Sequence, residues 1–354
     1  MAIRNPLVTI NGQNYIQNIG DAHLGRVFKN NVALDRRGEW EKQQMVSLDE
    51  ELFKTRPIGV EGQNYIRIQA GDLFDKPIIS NEVLMDTVKI LKDYEDCKEE
   101  PLYIISGNHD DSKNESDVTS WDLLAKFFEG SELIHFVKTW KAHVFPDGST
   151  VLLVGWNIHE SVATAYLQAY ECGVNPAVVV CHLDRISYGN EDNVIPYDFL
   201  KQHHVAMVIS GHEHKPYFFE EGHMKVIGTG SLLPYSHAED PEGYFYQTYK
   251  GWDAFHEVLC DKGSDYFKYK HVRVYLEDEH MEDFAELNLN CYSLQVHKIE
   301  RLQKDQELEG ETEVIIESYN AKNIWQAAAQ EVALPEDQSQ MLWAEIEMEG
   351  IENE

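Results

Sequence analysis

The stretch Tyr15-Ile16-Gln17-Asn18-Ile19-Gly20-Asp21-Ala22-His23 decides the fold. A short apolar run ends abruptly at a Gly-Asp turn, and an imidazole follows two residues later. The same grammar recurs four more times. Tyr65 to Ala70 runs into Gly71-Asp72, and Leu102 to Ile105 runs into Ser106-Gly107-Asn108. Ala177 to Cys181 runs into His182, and Val205 to Ile209 runs into Ser210-Gly211-His212. Runs this short and this rich in Val and Ile read as buried strands. Helical periodicity lies between them. Glu39 to Phe53 repeats at Met45, Leu48 and Leu52, and Asn81 to Tyr94 at Leu84, Val88 and Leu91. Asp117 to Phe128 is expected to be capped by Asp117 and to bury Leu123, Leu124 and Phe127. Alternating strands and helices imply an α/β fold. In open α/β sheets, sites form beyond the carboxyl ends of strands, which would gather all five polar turns on one face of the sheet.

The pentapeptide Gly-Gln-Asn-Tyr-Ile occurs at 12–16 and again at 62–66, each time just before such a turn. Two similar strand starts explain it, and it is too short to argue duplication. After about Trp252 the character changes. Val272, Val274 and Leu276 alternate, Leu287 to Val296 offers a second strand-like stretch, and from Glu300 the chain is rich in Glu, Gln and Lys. Ala321 to Val332 reads as a helix, and Pro335 opens another through Met341, Leu342 and Ile346.

The 354 residues suffice for a large catalytic domain and something smaller. The net charge of −32 argues against a stand-alone nucleic-acid binder. It reads either as plain solubility or as a surface completed by bound cations and a basic partner. The five scattered cysteines form no CxxC pair, so disulfides and a structural zinc knot are not expected. The N-terminus has no apolar leader, and no run approaches the roughly 18 apolar residues of a membrane span. A cytoplasmic protein with no membrane partner is the expectation.

The turns carry the chemistry. Asp21 and His23 are two residues apart and can point the same way from an extended turn. Asp72 adds a carboxylate, Asn108 an amide oxygen beside His109, His182 an imidazole, and His212 and His214 two more at alternate positions. A lone histidine such as His182 is more often structural than a ligand; five motifs at five strand ends reverse that weighting. The set mixes nitrogen and oxygen donors without thiolate, which suits Mn, Fe, Zn or Mg ions. Seven donors exceed what one catalytic ion takes and match two ions sharing a carboxylate. Two ions about 3.5–4 Å apart can polarise a phosphate and activate water.

The ordered series Gly-Asp-x-His, Gly-Asp-x-x-Asp, Gly-Asn-His-Asp, a lone His and Gly-His-x-His, spanning roughly residues 14–235, resembles the signature of calcineurin-like metallophosphoesterases. The resemblance implies two packed β-sheets flanked by helices. It also implies two half-sites: Asp21, His23 and His214 on one ion, Asn108, His182 and His212 on the other, and Asp72 bridging. His109 would be the general acid that protonates the leaving oxygen, an expelled sugar alkoxide being a poor leaving group, or would stabilise the transition state. Asp110 would either orient His109 or cap its own turn, and Asp75 would stand behind the ligands or be structural.

Within that superfamily the chain is most similar to the SbcD-like nuclease subunit of the DNA break-repair complex, in a compact, phage-type form. Asp21-Ala22-His23-Leu24-Gly25, Gly211-His212-Glu213-His214-Lys215-Pro216 and the run from Ile227 to Pro234 carry this likeness. It implies a Mn-dependent DNA exonuclease or endonuclease, a homodimer, that acts in repair or recombination with a coiled-coil, SMC-like ATPase. Residues 1–252 would form the nuclease domain, 253–300 a small capping domain, and 301–354 an acidic helical tail. Ile324, Trp325, Val332, Met341 and Leu342 would either dock the ATPase or pack the helix pair on itself. The competing expectation is a phosphoesterase acting on a small nucleotide or a phosphoprotein, which the acidic composition favours.

Overall fold

The computed structural model describes residues 4–299 apart from 30, 113, 115–116, 157–160, 187–192, 241 and 288. The expected tail helices, with Ile324, Trp325, Val332, Met341 and Leu342, lie outside the described residues.

The first half builds one sheet. In chain order it runs through β1 (Leu7–Ile10), β2 (Asn14–Ile19), α1 (Glu39–Phe53), β3 (Tyr65–Gln69), α2 (Asn81–Cys97), β4 (Leu102–Ile105), α3 (Ser120–Phe127) and β5 (Ile134–Val137). The strands lie in the order β1-β2-β3-β4-β5, parallel except for β1. The second half builds another from β6 (Trp140–Val144), β7 (Thr150–Val154), α4 (Val162–Glu171), β8 (Val178–Cys181), α5 (Tyr197–Gln202), β9 (Met207–Ser210), β10 (Tyr217–Glu221) and β11 (Met224–Gly228). Its order is β10-β11-β9-β8-β7-β6, with the two outermost strands antiparallel.

Strand side chains alternate between faces, and here both faces are covered. On β4, Leu102 and Ile104 face α1–α3, while Tyr103 and Ile105 face the other sheet. On β7, Leu152 and Val154 face the α4 and α5 side, while Val151 and Leu153 turn inward. The inward residues of both sheets form one core with Ile16, Ile66, Ile68, Val178, Val180 and Ile209. The result is the expected sandwich of two packed sheets between helical layers. The strands that end in a polar turn are covered on both faces, and β4 and β8 accordingly read as continuous apolar runs, while β2 and β3 bury Gln17, Asn18, Arg67 and Gln69 among their apolar residues.

Helix α3 departs from its sequence reading. Its cap is Thr119, whose hydroxyl and Asp122 make a reciprocal capping box, so the helix starts at Ser120. Starting there, Trp121, Leu124 and Phe128 share the inner face, and Leu123 and Phe127 are 46% and 54% exposed.

A third sheet follows from β12 (Tyr246–Lys250), α6 (Trp252–Lys262), β13 (His271–Leu276), α7 (Met281–Ala285) and β14 (Ser293–Lys298), all three strands parallel. The compositional change at 252 falls inside this unit, since β12 pairs with β13. In the stretch from Leu287 to Val296 the strand itself begins only at Ser293, and Leu287 and Leu289 pack as loop residues on the core of Phe255, Phe267 and Val274. The small sheet meets the large domain through Val32, Trp40, Leu233, Tyr246 and Tyr292. His271 stacks on Tyr246 at 4.0 Å and receives the edge of Trp40 at 4.7 Å. Among the described residues no helix is long and apolar enough to cross a membrane.

Candidate metal centre

The polar turns after β2, β3 and β4 in one sheet meet those after β8 and β9 in the other. The ligands therefore converge from two sheets, not from one face of a single sheet as the strand pattern suggested. Close convergence dictates the glycines. Gly71 has φ +98°, and a Cβ there would overlap the His182 ring; a Cβ at Gly107 would overlap the Asp72 carboxylate. Three donors themselves take left-handed backbone, His23 (φ 44°), Asp72 (φ 50°) and His212 (φ 78°). Such strain at non-glycine residues persists only where surrounding structure imposes it.

All seven expected donors come together. Asp21, His23 and His214 present ligand atoms within 4.8 Å of one another, as do Asp72, His182 and His212. Asn108 closes the second trio, its Oδ1 2.9 Å from His212 Nδ1 and 3.1 Å from His182 Nε2. Asp72 lies between, with Oδ2 3.2 Å from His182 Nε2 and 3.8 Å from His23 Nε2. His23 Nε2 and His214 Nε2 approach to 2.9 Å. His109 also falls within reach of His23 and Asp72.

The imidazoles are set up as ligands. His182, His212 and His214 each turn one nitrogen toward the cage and the other toward an acceptor, the arrangement that fixes tautomer and ring orientation in metal sites, while His23 Nδ1 has a carboxylate near it without a hydrogen bond. His182 Nδ1 donates to the Ala70 carbonyl at 2.8 Å. His212 Nε2 faces Asp184 Oδ1 at 3.2 Å. His214 Nδ1 faces Glu239 Oε1 at 3.4 Å. His23 Nδ1 faces Asp75 Oδ1 at 3.7 Å. His23, Asp21, Asp72 and His182 are buried, and the open edge of the cage is formed by His109, Asn108, His212 and His214. This nitrogen and oxygen donor set fits two divalent cations and does not select among Mn, Fe, Zn and Mg.

The electrostatics say the same. Burial pushes Asp21 up to about 6 and His23 down to about 2. Burial also opposes ionisation of Asp72, but His182, His23 and His109 outweigh it and hold that carboxyl well below its usual range. Burial disfavours charged His182, yet Asp72 and Asp21 together raise it to about 10. That proton is what a ligating imidazole gives up when a cation takes its place.

His109 and Asp110 part company. His109 Nδ1 donates to the Asp75 carbonyl at 2.7 Å, so Asp75, not Asp110, orients the ring and leaves Nε2 toward the cage. Asp110 is buried and accepts from the backbone N–H groups of Gly107 (2.9 Å), Leu73 (3.1 Å) and Phe74 (2.9 Å). It clamps the Asn108 turn to the Asp72 turn. Burial and the Asp72 charge push its carboxyl up to about 8 against those donors.

Sequence reasoning passed over Asp184, Glu239 and Tyr235. Asp184 had a signal, two residues beyond His182. Glu239 and Tyr235 lie in the connection from β11 to β12, where no motif marks them. Glu239 backs His214, accepts from the Tyr235 N–H at 2.8 Å and receives Arg4 through its carbonyl. The Tyr235 ring packs against both His23 (5.3 Å) and His214 (5.4 Å), and its hydroxyl donates to the Ala22 carbonyl at 2.6 Å.

The family comparison agrees with this geometry. The calcineurin-like phosphoesterase family matches residues 18–216, more than half of the chain. No curated protein matches by sequence. Similar solved structures include the TT1561 protein of Thermus thermophilus, at 13% identity and a TM-score of 0.43 over 62% of this chain and 90% of that one. The phosphopantetheinyl hydrolase of Mycobacterium tuberculosis follows at 14% and 0.35, over 64% and 95%. A putative 5′-nucleotidase from Staphylococcus aureus stands at 13% and 0.35, over 61% and 48%. With its five strand-end motifs closed into one two-part cage, the chain belongs to the calcineurin-like phosphoesterases and is a metal-dependent phosphoesterase.

Proposed function

We propose that this phosphoesterase is a two-metal phosphodiesterase that cuts DNA, as the nuclease subunit of a complex with a coiled-coil, SMC-like ATPase. One observation carries the reading. The chain does not stop at the catalytic sandwich; its connection from β11 passes along the cage through Ser231, Tyr235 and Glu239 and runs directly into the third sheet. A unit seated at the rim is what a long substrate needs and a small one does not.

Two divalent cations, taken here as Mn2+, would supply a polarised phosphoryl group and an activated water. The residues do the rest. Asp21, His23 and His214 would hold one cation, Asn108, His182 and His212 the other, and Asp72 would contribute to both. The buried ligands keep bulk water from the carboxylates. Asp75 fixes the His109 ring so that Nε2 carries the proton to the leaving sugar oxygen, which departs in line. The partly exposed edges of His212 and His214, 23% and 24% accessible, leave the phosphate its approach.

The net charge of −32 supports a second reading, hydrolysis of a small nucleotide or a phosphoprotein. Purified protein with Mn2+ is assayed on single-stranded DNA, hairpins and bis-p-nitrophenyl phosphate. Cleavage of DNA is the expected result, and activity confined to monoesters would replace the nuclease reading with the second. The partner reading places the ATPase on the tail through Ile324, Trp325, Val332, Met341 and Leu342, with the nuclease as a homodimer. Undiminished co-purification of the ATPase after removal of residues 301–354 would remove the docking role.

A further inference from the structure

We propose that Arg26 is a phosphate anchor: it holds a second phosphate of the substrate, next to the one that is hydrolysed. The inference rests on the phosphoesterase site above and specifies its substrate as one carrying neighbouring phosphates.

Arg26 follows the first ligand turn by three residues, and Gly25 (φ 87°) redirects the chain there. Its guanidinium lies over the Tyr235 ring, 4.6 Å from the centroid, and Tyr235 in turn packs on His23 and His214. Nη1 is 3.9 Å from Asp75 Oδ1, and the same carboxylate oxygen is 3.7 Å from His23 Nδ1. The guanidinium thus stands one residue removed from the cage, with Asp75 between. A phosphate that it held would be the neighbour of the phosphate at the metals.

Among the other cations, Arg4 is committed, donating to the carbonyls of His214 and Ser231, while Arg185 lies over Tyr217 beside Glu213 at the opposite, His212 side of the site. Arg26 makes no side-chain hydrogen bond to a described residue; the contact with Asp75 is a loose ion pair, and the Arg26 side chain is 37% exposed. A planar guanidinium held by an aromatic face keeps its fork of N–H donors for an anion, and arginine suits phosphate because that fork can bind it bidentately. In a chain this acidic, a pre-placed cation at the cage rim is also what lowers the electrostatic cost of bringing in a polyanion.

The structural alternative is that Arg26 only props Tyr235. A ratio of affinities separates the two. Binding of thymidine 3′,5′-bisphosphate and of thymidine 5′-monophosphate to the full, Mn2+-loaded chain is measured by calorimetry. The wild type is expected to prefer the bisphosphate by about tenfold, the scale of one charge-assisted contact. Arg26→Ala is expected to bring the ratio close to one, and Arg26→Lys to restore part of it, because lysine keeps the charge and loses the fork. Equal weakening of both ligands in Arg26→Ala would assign Arg26 to support of Tyr235 and overturn the proposal. An unchanged ratio, or a wild type that does not discriminate, would overturn it as well. The nuclease reading is scored separately, on cleavage of a single-stranded oligonucleotide by the wild type. Loss of that reading with a collapsed ratio leaves the anchor standing on another substrate with two phosphates.

Discussion

Asp110→Asn separates a structural clamp from a catalytic partner. The carboxylate spends Oδ2 on two N–H groups, Gly107 and Leu73, and Oδ1 on one, Phe74. An asparagine placed with its oxygen at the Oδ2 position keeps two of these bonds and turns an NH2 toward the Phe74 N–H. One buried donor is then left without an acceptor, at a cost of about 1–3 kcal/mol. Alanine would orphan all three, about 3–9 kcal/mol, a large part of the stability of an ordinary domain. Asparagine is therefore the informative change. With a denaturant slope of about 3 kcal/mol per molar, the urea midpoint should fall by about 0.3–1 M. Because the clamp positions Asp72 and Asn108, metal affinity should also fall about 10–100-fold. Urea unfolding in chelator and a metal titration measure the two. The limb of the pH–rate profile that reports the general acid should keep its midpoint, since Asp75 and not Asp110 holds the His109 ring. A shifted limb with unchanged stability would refute the clamp.

His109→Asn should bind metal as the wild type does and lose about 10²–10⁴-fold in turnover of substrates with poor leaving groups, with a smaller loss on nitrophenyl esters, as measured by metal analysis and kinetics side by side. Glu239→Gln should weaken metal binding at one half-site by about 10–100-fold, seen as a second, weaker phase in a Mn2+ titration. Metal at 100 times its Kd should stabilise the fold by about 2.7 kcal/mol, a shift that thermal melts with and without chelator will show. His271 provides a pH test at the seam. Burial pushes its imidazole down to about 3. The unfolded chain takes that proton near pH 6.5, so the contribution is complete above about pH 6.5 and is lost as the pH falls toward 3, by at most about 1.4 kcal/mol per unit. His271→Phe should flatten this acid limb in melts between pH 7 and 4, and an unaltered difference from neutral pH would refute the assignment.

Much of the site was legible because its ligands obey a local rule. Each lies within four residues of the end of a buried strand, and both a covered strand and its terminal turn leave marks in sequence. The fully apolar β4 and β8 announce themselves, and Asn108 and His182 follow directly. What sequence missed depends on contacts across long separations. Glu239 reaches His214 from the far side of a hairpin, and Asp75 orients His109 through a carbonyl, a group that every residue carries. The role of Asp110 was ambiguous for a related reason: proximity in sequence to His109 suggested a partner, while the fold turns its carboxylate away onto the backbone. In α3 the apolar pattern alone did not fix the phase. The capping box at Thr119 did, and it moved Leu123 and Phe127 to the surface.

The connection from β11 to β12 gives the two half-sites unequal surroundings. Ser231 pairs with Asp21, Tyr235 leans on His23, and Glu239 backs His214, so this segment is a wall of the first half-site and also the tether of the third sheet. His182 and His212 are carried instead by the turns after β8 and β9 of the large sandwich. A displacement of the third sheet would reach Tyr235 and Glu239, and through them His23 and His214, by a shorter covalent path than His182 and His212.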